Sequence, residues 1–182
     1  MGLAWLPLLF IYLLLKWLRK GRWLSWKGVS LTILWLVFLP NSFYLVSDIV
    51  HVKATGEVSV VYDAVLFMTI ALNGLLLGFV AVYLMHKELL KRLRVRQVNY
   101  MLVGIFALSS FAIYLGRYLG WNSWDIIINP AGILYDLSER IIRPVSYPNT
   151  FTTTVLFMGT LLTIYYTIYK LVAAIGGNKS NS

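Results

Sequence analysis

An amide, a phenol, a carboxylate and an imidazole follow one another at helical spacing within an apolar run of the chain. They belong to Asn41, Tyr44, Asp48 and His51, which are separated by three, four and three residues. On an α-helix these spacings place all four side chains on one face. Such a face is costly in lipid, so we expect it to meet protein or water and to mark a functional site.

Asp48 and His51 are the residues of this face that could do chemistry. With Asp63 or Asp125 brought in by the fold, they could form a site for a divalent metal that activates water. Without a metal, the His51–Asp48 pair could act as acid and base on a lipid headgroup or a cell-wall precursor. In a structural alternative, Asp48, Arg117 and Asp125 form an ion-paired cluster that ties loops to helices. The sequence therefore names no cofactor, and a divalent metal is the candidate.

A second stripe has the spacing four, three and four, and consists of Ser110, Tyr114, Arg117 and Trp121. If the two helices enter the membrane near Val29 and Val98, a rise of about 1.5 Å per residue places Arg117 level with Asp48. An arginine at that depth needs a carboxylate or must extend to the interface. We therefore predict one convergent site, catalytic or structural, formed by Asp48, His51, Arg117 and Asp125.

The segment Trp121-Asn122-Ser123-Trp124-Asp125 follows this stripe directly. Its two tryptophans suit the headgroup layer, so we expect a turn back over the helix ends. Ser123 lacks the Gly-x-Ser-x-Gly context of a hydrolase nucleophile. The surrounding polar cluster is predicted to contain Asn41, Tyr44, Tyr114, Trp121, Asn122 and Trp124.

The composition indicates an integral membrane protein. The chain has 182 residues, of which 59% are hydrophobic and 13% charged, and its mean hydropathy is +0.75. Several apolar runs are long enough to cross a bilayer core of about 30 Å. The absence of cysteine excludes disulfides, thiol nucleophiles and cysteine-ligated metals.

Five spans are predicted, roughly over residues 3–18, 29–50, 61–85, 98–119 and 151–175. We expect an all-α, polytopic transmembrane helix bundle that forms a single domain, residues 1–175. A flexible polar tail, residues 176–182, would follow it.

A short amphipathic helix is predicted over 130–143, with Asn129 as N-cap and Pro130 at the first position. Its apolar stripe contains Ile133, Leu134, Leu137 and Ile141. The opposite side carries Asp136, Glu139, Arg140 and Arg143. This pattern is typical of a helix lying flat at the outer interface, where it could cover the polar cluster or simply connect two spans.

Charges alternate between the connections. The connections after the first and third spans, with the C-terminal end, hold 12 of the 16 basic residues, whereas the other two hold six of the seven acids. The positive-inside rule then predicts an external N-terminus and a cytoplasmic C-terminus. The net charge of +9 is explained by this topology and by contact with anionic inner-leaflet lipid, so nucleic acid is not an expected partner.

Two features predict how the spans pack. Pro40 lacks an amide hydrogen, so it should kink its helix and free a carbonyl near Leu36, which Asn41 could help to satisfy. Gly74 and Gly78 form a small-xxx-small patch that favours close helix packing.

The paired motifs resemble a family of uncharacterised bacterial membrane proteins, a domain of unknown function. The resemblance is carried by Leu39-Pro40-Asn41 with Asp48 and His51, and by Gly116-Arg117 with Trp121-Asn122-Ser123-Trp124-Asp125. It extends over most of the chain, including Leu3-Ala4-Trp5-Leu6-Pro7. Members typically have a further hydrophobic segment before this point, and Ala-Pro where this chain has Ser42-Phe43. The resemblance implies a bacterial plasma-membrane protein, and it implies no reaction.

Three classes of function remain open. An enzyme would work at the outer leaflet, with His51 as base or ligand and Arg117 holding an anionic substrate group. A small transporter or channel subunit would use the stripe from Asn41 to His51 as part of a pathway, and would need to oligomerise. An accessory protein would use its acidic or basic loops to hold a membrane partner.

Overall fold

The computed structural model describes residues 2–47, 60–143 and 146–177 of the chain. Every regular element over these residues is helical, which confirms the all-α prediction. A 3₁₀ turn, Gly2–Trp5, precedes α1 (Leu6–Leu18), α2 (Trp26–Tyr44), α3 (Val60–Leu90), α4 (Val95–Leu119), α5 (Asp125–Ile128), α6 (Pro130–Ile142) and α7 (Pro148–Gly177).

Four segments of the described chain are long and apolar enough to cross a membrane. They are Trp26–Ser47, Val61–Leu90, Val95–Leu119 and Pro148–Ile175. The protein is thus a polytopic helical bundle, as predicted. The first apolar segment, Gly2–Leu18, is shorter than these four, so a fifth span stays a prediction.

The helix ends follow local sequence signals. Ser25 caps α2, because its hydroxyl accepts a hydrogen bond from the Gly28 amide at 3.3 Å. Gly120 ends α4 in the left-handed conformation, with φ of 76°, which glycine adopts without steric cost. The predicted start of α6 is confirmed, since the Asn129 carboxamide oxygen accepts from the Gly132 amide at 3.0 Å.

The centre of the bundle is aromatic. Phe43 of α2, Phe79 of α3, Phe106 of α4 and Tyr165 of α7 meet there, with ring centroids 5.3–6.4 Å apart. All four side chains are buried. Tilted aromatic pairs at such distances attract one another beyond the effect of burial. The four long helices are therefore joined through one cluster, with α1 packed along α2 and α3.

Glycines let α3 approach α2 closely. A Cβ on Gly74 would lie 2.5 Å from the Ser42 carbonyl oxygen, and one on Gly78 would collide with the Phe43 ring. The predicted small-xxx-small patch thus faces α2. Close backbone approach is the usual role of such patches between membrane helices.

The bundle has two chemically distinct ends. At the basic end, the start of α2 meets the end of α3, and the Arg92 guanidinium lies 5.2 Å from the centre of the Trp23 ring. Glu88 pairs there with Lys91 at 2.6 Å and Arg92 at 3.1 Å. The opposite end contains the C-terminal turns of α2 and α4 together with α5 and α6. We call it the motif end, because both sequence motifs lie there.

A candidate ligand-binding cavity at the motif end

The two motifs are joined by a hydrogen-bond network at Pro40. The Asn41 Nδ2 group donates to the Phe38 carbonyl at 3.1 Å and to the Ser123 hydroxyl at 2.8 Å. The Ser123 hydroxyl in turn donates to the Val37 carbonyl at 3.0 Å. Proline cannot complete the helical ladder, so carbonyls near it need other donors. As predicted, Asn41 donates to a carbonyl near Pro40. That carbonyl belongs to Phe38, and Ser123 of the second motif donates to the carbonyl of Val37.

The network determines which way the Asn41 amide points. The Phe38 carbonyl can only accept, so the amide nitrogen must face it. Both hydrogens of that nitrogen are then used, by Phe38 and Ser123. The Asn41 Oδ1 atom accepts no hydrogen bond from the described residues. It is therefore an acceptor whose orientation is fixed by the two hydrogen bonds of the amide nitrogen.

A cavity of about 160 Å³ lies beside this network. Polar groups on its wall come from Asn41, Tyr44, Asn122 and Ser123. The apolar wall contains Val37, Ala112, Leu115, Ile126 and Ile133. None of the described residues lining the cavity is charged. The cavity thus offers neutral hydrogen-bonding groups on one part and hydrocarbon on the other, the pattern of a small-ligand site.

Gly116 permits the close approach of two cavity walls. A Cβ there would lie 3.1 Å from the Tyr44 ring and 3.2 Å from the Trp121 carbonyl oxygen. The glycine of the Gly116-Arg117 motif therefore has a packing role. It lets the Tyr44 ring and the second motif both contact α4.

Asp125 stabilises the turn of the second motif. Its Oδ2 atom accepts from the Asn122 backbone amide at 2.7 Å and from the Asn122 side chain at 3.4 Å. The Asn122 side chain also donates to the Gly120 carbonyl at 3.2 Å. Such side-chain contacts to nearby amides are typical of Asx turns. Asp125 does not line the cavity; its predicted catalytic or metal-binding role stays a prediction.

A second polar cluster docks α6 onto the bundle. The Trp121 indole nitrogen donates to Asp136 Oδ2 at 2.7 Å. The Arg140 Nη1 atom donates to the Asp136 backbone carbonyl at 2.7 Å and to Oδ1 at 3.3 Å. The Arg140 side chain is only 11% exposed. A buried cation needs such pairing, so this cluster fixes α6 against the turn.

Aromatic residues from α4 and the segment before α7 complete the surroundings of Arg140. Its guanidinium carbon lies 4.8 Å from the centre of the Tyr147 ring. Burial acts against the charged form, but hydrogen bonding to Tyr114 and the nearby Asp136 carboxylate raise the pKa of Arg140 above its ordinary value. Arg140 therefore stays a cation at every physiological pH.

Part of the charged side of α6 faces the protein, whereas Arg143 on the same side is 66% exposed. Asp136 and Arg140 contact the protein, whereas Leu134 of the predicted apolar stripe is 63% exposed. The physical reason is that the half-buried Trp121 indole donates to Asp136, and Asp136 in turn accepts from Arg140. Exposed apolar groups on this surface include Ile128, Leu134, Tyr135 and Ile142.

The cavity brings together four of the predicted polar residues, namely Asn41, Tyr44, Trp121 and Asn122. Tyr114 is buried on α4, and Trp124 is 41% exposed. Arg117 lies half-buried in the last turn of α4. Asp63 lies in the first turn of α3, also half-buried.

Asp48 and His51 lie outside the described residues. Their convergence with Arg117 and Asp125 therefore stays a prediction, as does the metal site. Within the described part of the chain, no group of three or more histidine, cysteine, aspartate or glutamate residues could hold a metal ion.

Sequence reasoning missed the residues that hold the site together. Ser123 bridges the two motifs, a role that its sequence context does not indicate. Asp136 and Arg140 contact the protein, although their helical spacing alone predicts a polar surface. The sequence does contain a signal for this cluster. Asp136 and Arg140 are four residues apart on a helix and can pair, and a nearby tryptophan can donate to the aspartate.

Fold and cavity together define a polytopic helical membrane protein with a small amphipathic cavity near one end. Residues 1–166 match the family described as "Protein of unknown function (DUF1361)", and the chain belongs to this family. A search of the curated proteins and a search of the solved structures each found no match.

Proposed function

We propose that this protein binds the polar headgroup of a membrane lipid, or of a lipid-linked cell-envelope precursor, in the cavity at the motif end. We further propose that the motif end faces the outside of a bacterial plasma membrane. The alternation of basic and acidic connections supports this orientation, through the positive-inside rule.

The observation that carries the proposal is the oriented Asn41 amide beside an apolar wall. Its Oδ1 atom can accept a hydrogen bond from a hydroxyl or amine of a ligand. The apolar residues Val37, Leu115 and Ile133 can contact the adjoining hydrocarbon. A ligand with a polar head on an apolar chain satisfies both parts of the cavity, whereas a free ion would leave the apolar part without a partner.

The test fills the cavity with a larger side chain and identifies the lipid that the protein then fails to retain. Wild type, Ala112→Phe and Gly104→Phe are purified as full-length proteins in mild detergent, and the retained lipids are identified by mass spectrometry. Ala112 lines the cavity. Gly104 lies on the same helix, and a Cβ there would meet no heavy atom within 4 Å, so its variant is the matched control.

We expect wild type and Gly104→Phe to retain the same lipid, and Ala112→Phe to lose it by about tenfold or more, the equivalent of about 1.4 kcal/mol. Should Ala112→Phe fail to fold, Ile133→Trp fills the cavity from α6. Equal lipid profiles in all folded variants would overturn the proposal.

A second candidate is catalysis on the bound headgroup. Asp48 follows Ser47, the last described residue after α2, and Tyr44 at the end of α2 lines the cavity. We propose that Asp48 and His51 supply the acid–base pair or the metal ligands. Metal analysis and lipid profiling of wild type, Asp48→Ala and His51→Ala test this. Unchanged metal content in the folded variants would exclude the metal site, and an unchanged lipid profile would exclude catalysis on the headgroup.

A further inference from the structure

A groove at the basic end lies between the end of α1 and the start of α2. Its volume is about 560 Å³. Leu13 and Leu31 form an apolar part, and Trp17 and Trp26 line it as well. Its cationic residues are Lys16, Lys20 and Lys27. The groove is thus apolar along the helices and strongly basic at their ends.

The positive charge of this groove is not neutralised by the described residues. The chain contains no aspartate or glutamate before Asp48. Glu88, the acid of the basic end, is already bound to Lys91 and Arg92. Three lysines around one groove repel one another, and an anion placed among them would relieve that repulsion.

The Trp17 wall of the groove is held in place. Its indole nitrogen donates to the Ser25 hydroxyl at 2.9 Å. A Cβ on Gly21 would collide with the indole, so the glycine lets the chain pass close to the ring. The Lys27 Nζ atom lies 5.0 Å from the ring centre, within the range of a cation–π contact. Lys27 is therefore directed toward the groove.

We propose that this groove binds an anionic phospholipid, with the phosphate among Lys16, Lys20 and Lys27 and an acyl chain along Leu13 and Leu31. Basic pockets between membrane helices suit such headgroups. Trp26 is 82% exposed beside the groove, as expected for a side chain in the headgroup layer. The apolar part favours a lipid over free phosphate, and the site is independent of the cavity at the motif end.

Native mass spectrometry of the full-length protein can test this with added phosphatidylglycerol and phosphatidylcholine. The test variant is the triple substitution Lys16→Gln, Lys20→Gln, Lys27→Gln. The matched control is Arg19→Gln, Arg22→Gln, Arg96→Gln, which removes the same charge from residues outside the groove. The lysines are exposed, so we expect both variants to fold.

We expect wild type and control to prefer phosphatidylglycerol, and the lysine variant to lose about tenfold or more of its affinity for it. Replacing the three lysines by arginine should preserve the preference. Equal losses in the lysine variant and the control would reveal diffuse electrostatic attraction and overturn the site. Displacement of the lipid by equimolar inorganic phosphate would show a simple anion site and would also overturn the proposal.

Discussion

The cavity at the motif end and the groove at the basic end are held together by contacts of different range. At the motif end, hydrogen bonds join residues 82 and 86 positions apart, from Asn41 to Ser123 and from Ser123 to Val37. Within the hairpin of α1 and α2 that forms the groove, they join residues eight and nine positions apart, from Trp17 to Ser25 and from Trp23 to Thr32. The cavity therefore depends on the whole bundle, whereas the groove depends on one helical hairpin.

The cavity and the groove also differ in the charge of the residues that line them. The described residues lining the cavity are neutral, so recognition there depends on the placement of hydrogen-bonding groups. The groove uses three lysines, whose attraction for an anion tolerates small displacements. We therefore expect substitutions at the motif end to disturb structure and binding together, and substitutions at the groove to change binding with little loss of stability.

The largest expected effect tests how far the motif end depends on the α2–α3 contact. Gly74→Val would place a branched side chain against the Ser42 carbonyl, and a backbone atom cannot rotate aside. We expect a loss of about 3 kcal/mol in unfolding free energy, as for overpacking of a core. Titration with sodium dodecyl sulfate, followed by circular dichroism, measures it. Gly104→Val, on an open surface, is the control, and equal midpoints would contradict the role of this contact.

The next effect concerns the docking of α6. Asp136→Asn removes the charge that pairs with buried Arg140 while keeping the side-chain shape. We expect a cost of about 2 kcal/mol, because the cation loses its carboxylate. Hydrogen exchange should become faster in α6 and stay unchanged elsewhere.

Glu139→Gln is a matched control for this docking. Glu139 has the same side-chain exposure as Asp136, 26%, but its partner Arg143 lies 3.9 Å away and is 66% exposed. Such a surface pair contributes about 0–1 kcal/mol. Similar exchange in the two variants would show that the cluster of Trp121, Asp136 and Arg140 does not dock α6.

A smaller effect tests the bridge between the motifs. Ser123→Ala leaves the Val37 carbonyl without its hydroxyl donor and the Asn41 amide without one acceptor. Hydrogen bonds between membrane helices contribute on average about 0.6 kcal/mol, so we expect a loss of about 1 kcal/mol for the two bonds. The same detergent titration measures it. Ser138→Ala is the control, since the exposed Ser138 hydroxyl bonds only within its own helix; an equal loss there would rule out the bridge.

The range of the contacts also explains what could be predicted from the sequence. Apolar runs and caps act locally, so the four long helices and the start of α6 at Asn129 were predictable. The clustering of Asn41 with Trp121 and Asn122 was predictable from motif chemistry. The Ser123 bridge was not, because two hydrogen-bonding partners 82 residues apart leave no periodic signal. The inward turn of Asp136 and Arg140 likewise depends on where Trp121 lies in the folded protein.

The smallest expected effect tests the local character of the groove. Ser25 caps α2 through a long bond to the Gly28 amide, 3.3 Å, and accepts the Trp17 indole at 2.9 Å. Because the capping bond is long, Ser25→Ala should cost about 0.5 kcal/mol, the low end for such caps. Releasing Trp17 should lower phosphatidylglycerol affinity about twofold, since Lys27 then loses an oriented ring beside it.

Ser30→Ala, which also lines the groove, is the control for Ser25→Ala and should leave both quantities unchanged. A loss of several kcal/mol in Ser25→Ala would contradict the distinction between the two ends. It would mean that the hairpin of α1 and α2 supports the whole bundle, and that the local contacts of the basic end are as integral to the fold as the Asn41–Ser123 bridge.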